Sequence, residues 1–286
     1  MPELPEVESL ARFLREKATG LAVSRAELAA FAALKTYDPP LEQVVGRTVT
    51  GCGRRGKFLL LGLDPLTLVI HLARGGWLRW SDEVPAARAK PGKGPLALRI
   101  GFEGGAGFDV TEAGTEKRLA VYVVRSVDDL ENVARLGPDP LDPAFGLEEF
   151  GAALREHGGQ VKIALTTQSV VAGVGNAYSD EALHTARLSP FKNAAKLTDD
   201  EVSRLHAAVV SILTDAVTRS AGLPAAGLKS EKKSGLRVHG RAGQTCPVCG
   251  DVIRTVSFAT KSLQYCAGCQ TGGKPLADRR LSRLLK

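Results

Sequence analysis

Two groups of residues, near opposite ends of the chain, have types and spacings that can do chemistry. The first opens the sequence as "MPELPEVESL". Pro2, Glu3, Pro5 and Glu6 cannot build a buried strand, and a terminus is ordinarily frayed and tolerant of change. Two readings stand side by side. The stretch can be a polar, proline-stiffened lead into the helical pattern "EVESLARFLREKATG". It can also carry a nucleophile, because proline is small enough for Met1 to be removed ahead of it, leaving Pro2 with a free secondary amine. An α-amino group has a pKa of about 7.7–8.0, so a useful fraction is unprotonated at neutral pH. Amines attack carbonyl-like carbons in covalent catalysis, and Glu3 beside the amine could shuttle protons.

The second group is "CPVC" and "CAGC", which place Cys246, Cys249, Cys266 and Cys269 in a C-x2-C-x16-C-x2-C pattern. That is the spacing of a four-thiolate zinc site. An all-cysteine tetrahedral site is closed, hence structural, not catalytic. Two disulfides would need an oxidising compartment, so one structural Zn2+ is expected. Cys52, in "TVTGCGRRGK", reads as a half-buried strand residue with no special chemistry.

Two further stretches suit phosphate. In "VVAGVGNAYSDEALHTARL" a Gly-Val-Gly-Asn turn, Gly173 to Asn176, precedes a helical pattern. A helix N-terminus offers unpaired N–H groups and a positive dipole end to an anion; the plain alternative is an ordinary joint between helices. "GRRGKFLL" sets Arg54, Arg55 and Lys57 ahead of an apolar strand, as a phosphate clamp or merely a basic turn. Charge agrees in direction. The 286 residues carry a net +7, and from Gly222 to Lys286 there are 12 Lys/Arg against 3 Asp/Glu. A basic surplus confined to one quarter of a chain points to a polyanion partner, or to a solvated face.

The elements that must position these residues read as α+β. The length favours about two domains. No apolar run approaches a membrane span and no charged-then-apolar leader opens the chain, so a cytoplasmic protein is expected. Residues 7–18 have Val7, Leu10 and Leu14 on one helical face. From about Leu21 to Val127, short apolar runs such as "KFLLLGL", "LTLVIHL" and "LAVYVV" alternate with Gly, Pro and Asp, which predicts an antiparallel sandwich or barrel. "LGPDPLDPAF" at 136–145 reads as a linker. Helices are predicted over 147–157, 161–170, 177–186 and 198–221, the last with Thr198 as N-cap and Gly222 and Pro224 as stop. The domain ranges that follow are 1–130, a linker at 131–150, 151–235, and 236–286 for the cysteine hairpin and basic tail.

Taken together, "PELPEVE", the Gly-Val-Gly-Asn turn and the four cysteines resemble the formamidopyrimidine-DNA glycosylase / endonuclease VIII family, over 1–270 at least. The resemblance implies an N-terminal β-sandwich and a C-terminal helix–two-turn–helix domain with a zinc-finger hairpin, holding double-stranded DNA in the cleft between them. It implies a base-excision glycosylase with strand-nicking lyase activity that acts as a monomer on damaged bases or abasic sites. Pro2 would be the nucleophile, Glu3 would assist ring opening and proton transfer, and Glu6 would support the site. Lys57, counted with the catalytic residues as well, and Arg74, Lys162, Gly175, Asn176, His239, Arg241 and Lys261 fall at or near DNA-gripping positions. Oxidised purines are the expected substrates, with oxidised pyrimidines or an unusual adduct as the alternative. A non-catalytic lesion binder is the rival reading outside enzymes.

The sequence departs from the family pattern in four places. Arg74, in "HLARGGWL", stands where an intercalating Met is common, and "DVTEAGTEKR" (109–118) replaces an Asp-Pro-Arg-Arg-Phe-Gly-like loop. Lys261 occupies a usual Arg position, and His239 a usual Tyr position. The stretch 222–240 corresponds to a flexible lesion-capping loop, so Lys229, Lys232 and Lys233 are expected to be mobile. His71 reads as structural, and His157, His184 and His206 as surface or packing residues. Trp77 and Trp80 read as core.

Overall fold

A computed structural model describes residues 1–92, 94–258 and 261–278. The chain divides into two compact units, Met1–Leu136 with Ser220–Lys229, and Gly137–Arg219 with Ser230 onward. The division falls at the start of the Pro/Asp-rich stretch. The return of Ser220–Lys229 to the first unit is absent from the sequence-based ranges. Tail residues from Arg279 on lie outside the described residues.

The first unit opens with α1 (Leu4–Ala18) and continues through β1 (Val23–Leu28), β2 (Gly51–Arg55), β3 (Phe58–Leu63), β4 (Leu66–His71), β5 (Gly76–Ser81), β6 (Leu96–Phe102), β7 (Gly107–Glu112) and β8 (Ala120–Val124). They form two antiparallel four-stranded sheets, ordered β1-β6-β7-β5 and β2-β3-β4-β8. Alternation along β3 sends Leu59, Leu61 and Leu63 into one core with Leu68 and Ile70 of β4, Ile100 of β6, Phe108 of β7, and Leu10 and Leu14 of α1. This is a sandwich. The opposite face of β3 and β4 is covered as well, Phe58 and Val69 packing with Val124 and with Val133 of α2 (Glu131–Ala134). Covering on both faces explains why these strands read as nearly continuous apolar runs. Both tryptophans belong to this packing: Trp80 stacks on Phe102 at 5.9 Å, and Trp77 is buried. Trp77 also donates its indole N–H to the Ala225 carbonyl at 3.0 Å, which ties the returning segment to β5.

The second unit holds α3 (Leu147–His157), α4 (Val161–Thr166), α5 (Asn176–Thr185) and α6 (Asp199–Arg219), then the hairpin β9 (Ile253–Ser257) and β10 (Ser262–Cys266) and the turn α8 (Ala267–Gln270). Helix α7 (Leu228–Gly235) comes between α6 and the hairpin along the chain. Thr198 does cap α6: its Oγ1 accepts from Glu201 N at 3.3 Å while Glu201 Oε2 accepts from Thr198 N at 3.0 Å. No described helix is long and apolar enough to cross a membrane.

Candidate nucleic-acid interface and metal centre

In the first unit the opening residues are ordered by their own capping. Glu3 is the N-cap of α1, its carboxylate accepting from the Glu6 backbone, and Glu6 Oε2 accepts from Glu3 N at 2.7 Å. Pro5 sits in the first turn, where a missing N–H costs nothing. Glu3 and Glu6 are 2% and 3% exposed, and Pro2 is buried. Helix α1 packs along β2 and β3, whose connecting turn carries Lys57. Lys57 is buried, and its charge, after burial itself, pushes the neighbouring His71 down to about 4. His71 also packs its ring on Phe58 at 4.8 Å, so it is a neutral structural histidine. Arg54 donates to Glu8 Oε2 of α1 at 2.8 Å.

The two departing loops meet. Ala113 N donates to Gly75 O at 3.1 Å, beside the exposed Arg74. The β4–β5 turn is tight: Ala73 adopts φ 49°, and a Cβ on Gly76 would lie 2.1 Å from the Leu72 carbonyl oxygen. The 113–119 loop folds onto the buried Glu112 carboxylate, which accepts from Arg118 N at 2.8 Å and Leu119 N at 3.0 Å.

In the second unit, Gly173 takes φ 84°, a conformation open to glycine. The Gln168 side chain braces that turn, accepting from Gly173 N at 3.0 Å and donating to Val174 O at 2.8 Å. Asn176 begins α5 after the N-cap Gly175 and donates its side-chain amide to Ser262 O at 2.8 Å. It therefore stands next to the β9–β10 tip, where Lys261 is exposed. One turn on, Asp180 is fully enclosed, its Oδ1 taking Lys162 Nζ at 2.6 Å and its Oδ2 taking His239 Nδ1 at 2.6 Å and Gln264 N at 3.1 Å. Glu181 accepts three backbone donors, Arg237, Val238 and His239, at 2.8–2.9 Å. Burial nevertheless raises its pKa. At the hairpin base Cys249 Sγ lies 3.3 Å from Cys266 Sγ, and Cys246 Sγ 3.9 Å from Cys269 Sγ.

These features recur together in known proteins. Residues 1–113 match the formamidopyrimidine-DNA glycosylase N-terminal domain, residues 136–225 its H2TH domain, and residues 243–272 the zinc finger found in FPG and IleRS. The formamidopyrimidine-DNA glycosylase of Desulforamulus reducens is 34% identical over 94% of this chain and 99% of its own. The chain belongs to the formamidopyrimidine-DNA glycosylase family. A Mycobacterium tuberculosis formamidopyrimidine-DNA glycosylase-like protein is 58% identical over 53% of this chain and 94% of its own. Among solved structures, the MutM (FPG) protein of Thermus thermophilus superposes with a TM-score of 0.80 at 31% identity, over 96% of this chain and 100% of that one. A Lactococcus lactis FPG mutant bound to Fapy-dG-containing DNA gives 0.82 at 26%, over 94% and 100%. Membership makes this chain a base-excision DNA glycosylase.

As a family member it carries one structural zinc site. A zinc–sulfur bond of about 2.3 Å gives a tetrahedron with edges of about 3.8 Å, and the two sulfur pairs at 3.3 and 3.9 Å bracket that value. Cys246, Cys249, Cys266 and Cys269 therefore fit the ion. Cys52 stands apart, burial pushing its thiol up to about 12, where little reactive thiolate remains.

Against the residues singled out from sequence, Lys162 is the sharpest difference. It is 6% exposed, and its ammonium donates to Asn176 O, Ser179 Oγ and Asp180 Oδ1 at 2.6–2.8 Å, so it braces α5 from within and does not face solvent. His239 is turned by Asp180, while Arg241 is half-buried in the turn that follows. Of the lysines in the expected capping loop, Lys229 sits over the Trp77 ring and Lys232 over the Tyr178 ring, each at 4.6 Å, in cation–π contact. Sequence reading missed Gln168, Asp180, Glu181 and Glu112, whose roles depend on burial. It also set His184 among packing residues, whereas its Nε2 lies 3.4 Å from Cys246 Sγ.

Proposed function

We propose that the protein removes oxidised purines such as 8-oxoguanine or formamidopyrimidine and then nicks the strand, using the Pro2 amine freed by loss of Met1. The Pro2 lone pair attacks C1′ of the damaged nucleotide, and the C1′–N bond breaks with its electron pair leaving on the base. Glu3 takes the N–H proton of the alkylated amine and passes it to the ring oxygen as the sugar opens, and the nitrogen lone pair so freed completes an iminium. A secondary amine gives an iminium that is charged at every pH. That charge acidifies the C2′ proton, whose loss expels the 3′ phosphate. Water then hydrolyses the adduct and restores the amine.

The observation that carries this reading is the capped start of α1. Glu3 and Glu6 are buried and locked to each other's backbones, so the residue before them is held in place instead of fraying. A binder without turnover has no need of a nucleophile at that place. Lys57, Asn176, His239, Arg241 and Lys261 are the proposed phosphate contacts, which position DNA without reading sequence. Solved relatives from Lactococcus lactis hold Fapy-dG-containing and abasic DNA, which supports the substrate class. A four-cysteine zinc site fits a reducing cytoplasm, and one copy supplies every residue invoked, which fits a monomer.

Borohydride trapping tests the reading on duplexes with an abasic site or 8-oxoguanine, with Pro2→Gly alongside. Adducts on both, lost or weakened in Pro2→Gly, support it. An adduct on the abasic duplex alone keeps the amine and redirects the search toward oxidised pyrimidines or an unusual adduct. Tight binding without any adduct refutes the enzyme mechanism.

A further inference from the structure

One face of α5 meets the zinc hairpin at several points. Positions four apart on a helix lie nearly above one another, and Asn176, Asp180 and His184 occupy such a row, with Glu181 beside it. Each reaches a different part of the module: Asn176 the Ser262 carbonyl, Asp180 the Gln264 N–H and the His239 ring, Glu181 the backbone of 237–239, and His184 the Cys246 sulfur. The first three are hydrogen bonds to ordinary protein groups. The fourth ends on a zinc-binding residue.

His184 is 3% exposed, and its Nδ1 is the one buried side-chain polar atom with no hydrogen-bond partner among the described residues. Its Nε2 stands 3.4 Å from Cys246 Sγ, and its nearer ring nitrogen lies within 4.8 Å of the sulfurs of Cys246, Cys266 and Cys269. A zinc-bound cysteine is a thiolate and can only accept. The tautomer with hydrogen on Nδ1 would bury an unpaired donor and point a lone pair at that thiolate, two costs at once. The tautomer with hydrogen on Nε2 leaves only a bare acceptor unpaired and directs its donor at the sulfur. Four thiolates around one divalent ion leave excess negative charge in a buried place, where a donor is most valuable.

We infer that His184 is a positioning residue of the zinc centre, donating Nε2–H to the Cys246 thiolate and so coupling the metal to the helix face that begins at Asn176. The four cysteines remain the ligands and His184 stands outside them. Zinc retention and the seating of Asn176 beside the β9–β10 tip are then two ends of one helix. The zinc spacing alone does not contain this residue, because it lies 62 positions before Cys246.

Zinc release to a chromophoric chelator and the absorption of Co2+-substituted protein test this on the full chain, without DNA, so the outcome is independent of the repair reading. Outer partners of a metal ligand change affinity by about 10–100-fold. His184→Leu is expected to lose zinc about 10-fold more readily while its Co2+ form keeps a four-sulfur charge-transfer spectrum. His184→Gln places an amide N–H the same number of bonds from Cα as Nε2, and is expected to restore wild-type retention. His184→Asn, one bond short, is expected to behave like the leucine variant. Should His184→Leu not fold, the glutamine–asparagine contrast decides alone. Zinc retention unchanged in the leucine variant, or a glutamine variant as leaky as asparagine, overturns the inference. So does a wild-type Co2+ spectrum of three sulfurs and one nitrogen with metal retained in Cys249→Ser, which would make His184 a ligand.

Discussion

Lys162→Met separates a phosphate contact from an internal brace. The ammonium makes three hydrogen bonds of 2.6–2.8 Å, and the Lys162 and Asp180 side chains are 8% and 0% exposed. Methionine keeps the unbranched stem, one atom shorter, and removes the charge. Asp180 would keep the His239 ring and the Gln264 N–H but lose its cation. Removing one partner of a buried ion pair costs about 3–5 kcal/mol, a large part of a total stability of about 5–15 kcal/mol. If Lys162 gripped a phosphate instead, its loss would lower the slope of log K against log salt by about 0.9 and leave stability nearly untouched. Urea unfolding and DNA-binding titrations over a range of salt measure both quantities, with Lys261→Met as the exposed comparator. The expected result is a loss of about 3–5 kcal/mol with an unchanged slope for Lys162→Met, and the reverse pattern for Lys261→Met. Adding Asp180→Asn to Lys162→Met removes the orphaned charge and should recover part of the loss. A Lys162→Met protein with wild-type stability and a slope lower by about one would refute the brace.

Two further outcomes follow from the first unit. His71, lowered to about 4 by burial and the Lys57 charge, stays neutral in the fold while the unfolded chain titrates near 6.5. Its contribution is complete above pH 6.5 and is lost as pH falls toward 4, at about 1.4 kcal/mol per pH unit. Unfolding at pH 7 and pH 5 should therefore show about 2 kcal/mol less pH dependence in His71→Asn than in wild type; an NMR titration placing His71 near 6.5 would remove the basis. Gly76→Ala would drive a Cβ to 2.1 Å from the Leu72 carbonyl oxygen and open the turn that presents Arg74. Thermal unfolding should show a cost of about 2–4 kcal/mol, and a change within about 0.5 kcal/mol would show that the turn has room.

What was legible in the sequence were features whose physics is local. The short apolar runs of β3 and β4 between turn residues, the Thr198 cap of α6 and the cysteine spacing each rest on residues near in sequence, and the structure holds all three. Illegible were features that depend on what is buried against what. Lys162 and Lys57 are both lysines near glycine turns, and nothing in their neighbours tells that one commits its ammonium to Asp180 while the other stands beside His71. Glu112 looks like one of several acids in a polar loop, yet its burial makes it the anchor of 113–119. Asn176, Asp180, Glu181 and His184 of α5 show the same limit most plainly. "NAYSDEALH" gives a weakly amphipathic helix, because the face that would be solvated elsewhere is covered by the hairpin. A helix so covered can carry charges there only where each finds a partner. Asp180 and Glu181 have theirs in the ammonium, ring and backbone donors around them, and the sulfur of Cys246 is the partner that His184 has within reach.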